Sequence, residues 1–415
     1  MAAVNIACID IGSSKVCTIV AKVNDGRIAE VFGVGQAASR GVQKGVIVDI
    51  EDATRAVRES VENAQGNAMP KVGSILVGFS GKHITSANTV VTVDNRRTDH
   101  LITEAAIREV RRKIASASLG EDRVEVNIID RQYAIDRVAG VRNPLGMHGL
   151  RLDVEAHVIS ADIGCMRSLV ACLDRAGVSV SSDSFVANPL ASSEAVLEPE
   201  DKERGAIVAE IGGGTTGIAV FKDGSICHTA VLPVGGRQVT SDLAMALSIP
   251  FSAAEELKVR CGNLYPEEKV PPTSLEMMER YKISADRLSY IIAARVEEIL
   301  RMVLAKAPYV PDVMVVTGGS ANLPGIAQFA QEVLGLQTRV GKPLCLPKDT
   351  KGLDDPAYAA GVGLLLWGIE RESGRGVALW GDGLKSFTSG FRSTLVTVWS
   401  RRPRVVFGPP GSSGD

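Results

Sequence analysis

The sequence lacks the marks of a disulfide-stabilised or zinc-binding protein. Its cysteines form an odd set without a CxxC pair, and most lie in apolar runs, which predicts buried reduced thiols. They are Cys8, Cys17, Cys165, Cys172, Cys227, Cys261 and Cys345. The histidines show no HExxH or other ligand spacing, so no metal site built from them is predicted. They are His83, His100, His148, His157 and His228.

An excess of charge and a membrane-spanning run are also missing. With 46 basic and 48 acidic residues, the net charge of -2 gives no global attraction to nucleic acid or to an anionic membrane. The apolar run 357–369 is 13 residues long, shorter than the ~20 that span a bilayer, and is predicted to be a core helix. The first ten residues include Asp10 and no basic or long apolar segment, which favours a cytosolic protein.

What the sequence does contain is a duplication. The chain has 415 residues, 45% of them hydrophobic, enough for two or three domains. "ACIDIGSSKVCTIVAKVNDGRI" from Ala7 and "IVAEIGGGTTGIAVFKDGSI" from Ile207 share one plan. Each has an apolar run ending in an acid, a small-residue loop, a second apolar run and an Asp-Gly hairpin turn. We therefore predict an α/β protein with two related halves that face each other, joined by a crossover near 198–205.

Segments outside the duplicated hairpins predict further elements. Between the copies, residues 82–161 are typical of a small α/β insertion, with an amphipathic helix from Thr103 to Ser118 and Thr103 as its N-cap. The second half should contain helices near 240–247, 252–261 and 284–307.

Two glycine-rich loops are the candidate binding elements. Glycines allow backbone amides to approach an anion closely, and two matched loops predict a grip on one polyphosphate from opposite sides. The acids at the strand ends, Asp10 and Glu210, would be repelled by phosphate unless Mg²⁺ or its waters lay between, so a metal-nucleotide ligand is expected. The predicted phosphate-binding residues are Asp10, Gly12, Ser13, Ser14, Lys15, Glu210, Gly212, Gly213, Gly214, Thr215 and Thr216.

Two more glycine turns accompany these loops. Gly318 and Gly319 follow a predicted buried strand and precede a Pro-initiated helix; with Ser320, they are the candidates for the adenosine side. Gly235 and Gly236, with Asp242 at a helix start, suit a connection between domains.

The C-terminal segment predicts an amphipathic helix. Its apolar stripe has spacings of three and four residues and is followed by arginines, a pattern typical of a helix lying in a bilayer interface. The stripe consists of Trp380, Leu384, Phe387, Phe391, Leu395 and Val398, broadened by Trp399. The alternative is a helix docked on the protein's own core.

Five motifs, taken in their order along the chain, resemble those of a known protein family. "DIGSSK", "EIGGGTTGIAVF", "PVGGRQVTSDLA", "AEELK" and "VVTGGSANLPGI" resemble the actin-like (ribonuclease-H-like) ATPase superfamily and, within it, the bacterial cell-division family FtsA, over about residues 4–370. The resemblance implies ATP and Mg²⁺ in a cleft between two actin-like domains, with Glu255 and Lys258 of "AEELK" at the purine and ribose. It also implies filaments of the protein itself, docking of the FtsZ tail, contacts with other division proteins, and a C-terminal helix on the cytoplasmic face of the inner membrane at the division site.

Domain boundaries follow from the resemblance and the motifs together. Domain 1 should comprise 1–81, 162–198 and 357–370 (subdomain 1A) with the inserted subdomain 1C at 82–161. Domain 2 should comprise 199–240 and 309–356 (2A) with subdomain 2B, the expected FtsZ-docking surface, at 241–308. A linker at 371–378, the amphipathic helix at 379–402 and a disordered tail at 403–415 should follow.

Two departures from the family's second phosphate loop concern the chemistry. Glu210 stands where the family usually has Asp, and Gly217 stands where it carries another Asp. Because glycine cannot orient a water molecule or accept its proton, weak or absent ATP hydrolysis is expected. A small-molecule kinase of the same fold and a pilus-assembly actin-like scaffold are the alternatives; a kinase needs a carboxylate base aimed at a substrate hydroxyl, and no persuasive candidate is found.

Overall fold

The computed structural model describes residues 4–65, 71–117, 120, 122–141, 143–266, 272–347, 350, 352–372 and 378–379. The chain up to the crossover forms these elements: β1 Val4–Ile11, β2 Lys15–Asn24, β3 Arg27–Ala38, β4 Val42–Gln43, β5 Val46–Ile47, α1 Ile50–Gln65, β6 Ser74–Phe79, β7 Thr85–Asp94, α2 Glu104–Ala117, β8 Arg123–Ile135, β9 Val138–Val141, β10 Arg151–Asp162, α3 Ile163–Arg175, β11 Phe185–Ala187, α4 Asn188–Val196 and α5 Pro199–Arg204. The remaining elements are β12 Ala206–Ile211, β13 Thr216–Lys222, β14 Ser225–Leu232, α6 Gly236–Leu247, α7 Phe251–Cys261, α8 Pro272–Arg280, α9 Ala285–Leu304, β15 Val313–Thr317, α10 Ile326–Leu334, β16 Gln337–Val340, α11 Ala359–Glu372 and β17 Ala378–Leu379.

The predicted duplication is present as two equivalent five-stranded sheets. The first has the order β11-β6-β1-β2-β3 and the second the order β16-β15-β12-β13-β14. In both sheets the central strand pairs antiparallel with the next strand of the chain and parallel with a later one. Both hairpins turn at an Asp-Gly pair with positive φ, at Asp25–Gly26 and Asp223–Gly224. The hairpin prediction is therefore confirmed, because a type I′ turn needs positive φ at both central residues.

Two buried helices lie beside the hairpins. Helix α4 is buried along almost its whole length, and α11 packs on it so closely that a side chain on Gly363 would overlap the backbone of Ala191. The prediction of a core helix at 357–369 is confirmed, since α11 contributes Val362, Leu364 and Leu365 to the first hydrophobic core. None of the helices among the described residues is both long and apolar enough to cross a bilayer.

The insertion forms a third core and, together with β17 from the C-terminal part of the chain, a third five-stranded sheet. Strands β17, β8, β10 and β7 pair in that order, with β9 on β8. Helix α2 covers this sheet with Ile107, Val110 and Ile114, and the Thr103 hydroxyl accepts a hydrogen bond from the Ala106 amide at 3.4 Å, as an N-cap does. The predicted amphipathic helix and its cap are thus confirmed.

Side-chain hydrogen bonds tie the insertion to the second half. His157 is buried and contacts Asn88 at 2.7 Å and the Thr229 hydroxyl of β14 at 2.9 Å. Burial lowers the pKa of His157 to about 3, so the ring is neutral at physiological pH. The His157–Thr229 contact between the insertion and β14 is therefore made by uncharged groups.

Several predicted details differ from the structure. Helix α6 begins at Gly236, so Asp242 lies in its second turn and not at a helix start. No helix starts directly at Pro324, because a 3₁₀ turn at Gly319–Asn322 comes first and α10 begins only at Ile326. Helix α8 was not predicted.

The cysteines and the C-terminal boundaries also need correction. Cys345 is exposed, while Cys165, Cys227 and Cys261 are half-buried, because these residues lie at the edges of elements and not in the sheet centres. Helix α11 extends to Glu372, two residues into the expected linker, and Leu379 of the expected amphipathic helix pairs in β17 instead. The predicted membrane stripe, Trp380, Leu384, Phe387, Phe391, Leu395, Val398 and Trp399, lies outside the described residues.

Candidate functional site

The two predicted loops have the same internal geometry. In the first, the Gly12 amide donates to the Lys15 carbonyl at 3.1 Å; in the second, the Gly212 amide donates to the Thr215 carbonyl at 2.9 Å. Each loop connects strands whose flanking residues are direct partners, Ile11 with Val16 and Ile211 with Thr216. The duplication therefore extends from the strand order to the individual hydrogen bonds of the loops.

The two loops lie directly against each other. A Cβ on Gly213 would overlap the Ser14 hydroxyl oxygen, and one on Gly214 would lie 2.6 Å from the Ser13 Cβ. Only a residue without a side chain allows this approach, which explains the glycines at both positions. The structure thus brings together the two halves' loops, which are 200 residues apart in the chain.

Hydroxyl groups of several predicted site residues form hydrogen bonds that hold the loops in place. The Thr216 hydroxyl donates to the Val234 carbonyl at 2.8 Å, and the Ser320 hydroxyl to the Gly212 carbonyl at 3.3 Å. The Ser13 hydroxyl oxygen accepts from the Gly45 amide at 2.9 Å and keeps its own hydrogen for donation. The Thr216 hydroxyl therefore stabilises the second glycine loop, and its hydrogen is not available to a phosphate.

At the two strand ends, Asp10 is buried and Glu210 is half-buried with its Oε2 shielded from solvent, and the charge of Asp10 acts on Glu210. Burial raises the pKa of Asp10, opposed by the Asn188 carboxamide, whose Nδ2 donates to Asp10 Oδ1 at 2.7 Å, and by Lys15. Burial raises the pKa of Glu210 well above its usual range, and the charge of Asp10 raises it further, while the Ser192 hydroxyl opposes the shift. Two neighbouring carboxylates shielded from solvent need a cation or protons to be stable.

The environment of Glu210 fits a metal-bound nucleotide. Its Oε2 is buried and has no hydrogen-bond partner among the described residues. Within that part of the chain, no group of three or more His, Cys, Asp or Glu side chains is placed to hold a metal ion. Mg²⁺ is commonly held by one or two carboxylates together with water and substrate phosphates, and Asp10 and Glu210 supply that donor set.

Gly217 explains how the longer acid is accommodated. Gly217 is the strand partner of Glu210, and a Cβ there would lie 2.7 Å from Pro189 Cγ and 3.0 Å from Glu210 Oε2. The carboxylate of Glu210 therefore lies against the space that a side chain at position 217 would enter. The two departures found in the sequence are adjacent in the structure.

The predicted adenosine-side residues lie beside the second loop. Lys258 Nζ donates to Glu255 and to the Thr240 hydroxyl, each at 2.8 Å, and to the Gly236 carbonyl at 3.1 Å. Gly318 has a φ of +85°, and a Cβ there would lie 2.7 Å from the Ile211 carbonyl oxygen. "AEELK" and the third glycine turn thus converge on the second loop, whereas a Cβ on Gly319 would lie 3.9 Å from the Ala357 methyl group, an ordinary van der Waals contact.

Gly235 and Gly236 of the predicted interdomain connection contact the second glycine loop, but Asp242 does not. The amides of Gly236 and Arg237 donate to the carbonyls of Gly212 and Gly213 at 2.9 and 2.8 Å, and Gly235 packs on the same loop. Asp242 instead binds Arg295 of α9, at 2.6 and 3.0 Å. This ion pair joins α6 to α9 within the second half, so Asp242 has a structural role there.

Sequence reasoning missed two residues of the cleft. Asn188 contacts Asp10 from the start of α4, and Thr240 links Lys258 to Glu255. The signal for Asn188 was present: a polar residue directly after a buried strand, with Pro189 at the first positions of a helix. Thr240 lies inside an apolar helical pattern and gave no such signal.

These features, two duplicated halves whose glycine loops and strand-end acids meet, define the class of actin-like two-domain proteins. Solved structures of this fold agree. The chain superposes on the PilM of a PilM-PilN type IV pilus biogenesis complex with a TM-score of 0.60 (16% identity, 88% of this chain and 98% of that one). MreB5 of Spiroplasma citri bound to AMPPNP gives a TM-score of 0.53 (12% identity, 89% and 98%).

Sequence relatives identify the family. The family profile described as "Cell division protein FtsA" matches residues 207–363, and the profile of the SHS2 domain inserted in FtsA matches residues 81–160. The chain is 34% identical to the FtsA of Pseudomonas aeruginosa, over 92% of this chain and 91% of that protein. It is 32% identical to the FtsA of Escherichia coli K12, over 87% and 90%. The chain belongs to the FtsA family of actin-like cell-division proteins.

Proposed function

We propose that this cell-division protein binds MgATP between its two halves, polymerises, and tethers FtsZ to the cytoplasmic face of the inner membrane. The observation that carries the nucleotide part is the direct contact between the loops 12–15 and 212–215 beside the buried Asp10 and the solvent-shielded Oε2 of Glu210. The Ser13 and Ser14 hydroxyls, the amides of Gly213 and Gly214, and a Mg²⁺ held through Asp10 and Glu210 would bind the phosphates. When bound, Mg²⁺ neutralises phosphate charge and the two carboxylates.

Slow or absent hydrolysis is part of the proposal. At position 217 this chain has no carboxylate, and Asn188, which is at the acids, cannot accept a proton from water. A turnover of ~1 to 100 per second, typical of kinases, would contradict this view. The kinase alternative gains no support, and the likeness to the pilus protein, at 16% identity, shows the fold alone.

The membrane and FtsZ parts have separate supports. Family membership supports docking of the FtsZ tail on subdomain 2B, here α6 to α9, whose helices pack through Leu243, Leu257, Leu288 and Ile292 into one apolar core. The aromatic stripe of the tail supports reversible binding to an anionic bilayer. A single tail should bind weakly, and a filament that presents many tails should bind tightly through avidity.

Vesicle co-sedimentation tests the anchor. The full chain should sediment with anionic vesicles and recruit FtsZ to them, while a chain ending at Glu372, where α11 ends, should bind FtsZ in solution but not lipid. Phe387→Glu should abolish sedimentation, and Ser389→Glu, which adds the same charge off the stripe, should reduce it far less. Lipid recruitment unchanged by truncation would refute the anchor.

A further inference from the structure

The β4–β5 hairpin carries a two-residue turn that no pattern in the sequence predicted. Val42 and Gln43 pair with Ile47 and Val46, and the turn residues Lys44 and Gly45 have φ values of +49° and +73°. Lysine in this left-handed conformation is uncommon. The chain therefore places a cationic side chain at the tip of a tight turn at some conformational cost.

This turn lies on both glycine loops. The Gly45 amide donates to the Ser13 hydroxyl of the first loop at 2.9 Å, and the Lys44 amide nitrogen lies 3.4 Å from the Cβ position of Gly214 in the second. On its other side, a Cβ at Gly45 would overlap the Ser80 carbonyl. The turn is thus fixed between the phosphate loops and the end of β6.

Two further lysines near the glycine loops, among the described residues, already have partners. Lys15, which the sequence suggested as the phosphate cation, lies 4.4 Å from the centre of the Tyr358 ring. Lys258 is bound by Glu255, Thr240 and Gly236. Lys44 is exposed and forms no ion pair with any residue that the structure describes.

We infer that the β4–β5 turn is a third wall of the phosphate site and that the Lys44 ammonium group binds the polyphosphate of the nucleotide. The inference rests on the proposed nucleotide site and assigns it a residue from outside the duplicated loops. Because an ammonium group forms charge-assisted hydrogen bonds to phosphate, its loss should weaken binding of a triphosphate and leave binding of the nucleoside unchanged.

The test is isothermal titration calorimetry of the full chain with MgATP and with adenosine. Lys44→Asn removes the charge and keeps the left-handed turn, since asparagine tolerates positive φ. We expect it to weaken MgATP binding about tenfold, to flatten its salt dependence and to leave adenosine affinity as in the wild type. Lys44→Arg should retain MgATP affinity to within about threefold, as it keeps the charge.

Lys282 provides a matched control. It is also an exposed lysine with positive φ, +51°, but it lies between α8 and α9, so Lys282→Asn should leave both affinities unchanged. Wild-type affinity of Lys44→Asn for MgATP, or an equal loss for adenosine, would overturn the inference. If the wild type itself binds no nucleotide, the proposed function fails first, so the two failures are distinguishable.

Discussion

The two duplicated hairpins place an acid at the same strand position and surround it differently. Asp10 has Cys17 as its strand partner and accepts a hydrogen bond from Asn188. Glu210 has Gly217 as its partner, and its Oε2 has no hydrogen bond to the described residues. The duplicated backbone therefore carries one acid that Asn188 stabilises by a hydrogen bond and one whose Oε2 has no hydrogen-bond partner among the described residues.

The difference in side-chain length has a structural counterpart. Glutamate carries one more methylene group than aspartate, and the missing side chain at position 217 leaves room beside its carboxylate. In the first half, a shorter acid faces a cysteine instead. The length of the acid and the size of its strand partner are thus matched within each half. We therefore expect substitutions at positions 210 and 217 to have non-additive effects on the free energy of unfolding.

The largest expected effect comes from Gly217→Asp. Its Cβ would meet Pro189 at 2.7 Å, and its carboxylate would add a third negative charge beside Asp10 and Glu210. We expect the free energy of unfolding to fall by about 2 to 4 kcal/mol, measured by urea denaturation.

A double-mutant cycle sharpens this prediction. Glu210→Asp shortens the acid and frees the space next to position 217, so the double variant should be more stable than the sum of the single effects by about 1 kcal/mol. Strict additivity would show that Glu210 and the side chain at 217 do not compete for one space.

Glu210→Gln should have the next largest effect, and in the stabilising direction. The raised pKa of Glu210 means that its ionisation opposes folding: this cost is absent below the unfolded pKa and grows as pH rises towards the folded pKa. Without nucleotide, the variant should be more stable than the wild type by about 1 to 3 kcal/mol at pH 8 and equal to it near pH 4. Thermal or urea unfolding across this pH range measures it.

Asp10→Asn is the matched control in the first half. The Asn188 donor already stabilises the ionised Asp10, so the gain at pH 8 should be smaller than for Glu210→Gln. Equal gains in the two variants would mean that the halves do not differ in how they stabilise their acids.

The sequence predicted what depends on local pattern. The Asp-Gly turns, the α2 helix with its Thr103 cap and the two matched glycine loops follow from spacings of a few residues, and the structure has them. Because the two loops match, their approach across 200 residues was also predictable.

What could not be predicted depends on packing between distant segments. Lys15 lies over Tyr358, which is 343 residues later in the chain, so its engagement is invisible in the motif "GSSK". Asp242 is an acid near a glycine turn in sequence but meets Arg295 of α9 once the helices pack. A motif predicts the backbone position of a residue, but the partner of its side chain depends on how distant elements pack.

The smallest expected effect is that of Asn188→Ala, which removes the donor from Asp10. The variant should lose about 1 to 2 kcal/mol of stability at neutral pH, because the buried Asp10 carboxylate then lacks its partner. Asn188 lowers the pKa of Asp10, so its removal raises that pKa further, and the loss should shrink as the pH falls and Asp10 becomes protonated. Ser192→Ala, which removes the corresponding hydroxyl from Glu210, should show the same trend in the second half. Urea unfolding between pH 4 and pH 8 measures both variants, and a loss that did not change with pH would assign the effect of Asn188 to the packing of α4 and not to the carboxylate it contacts.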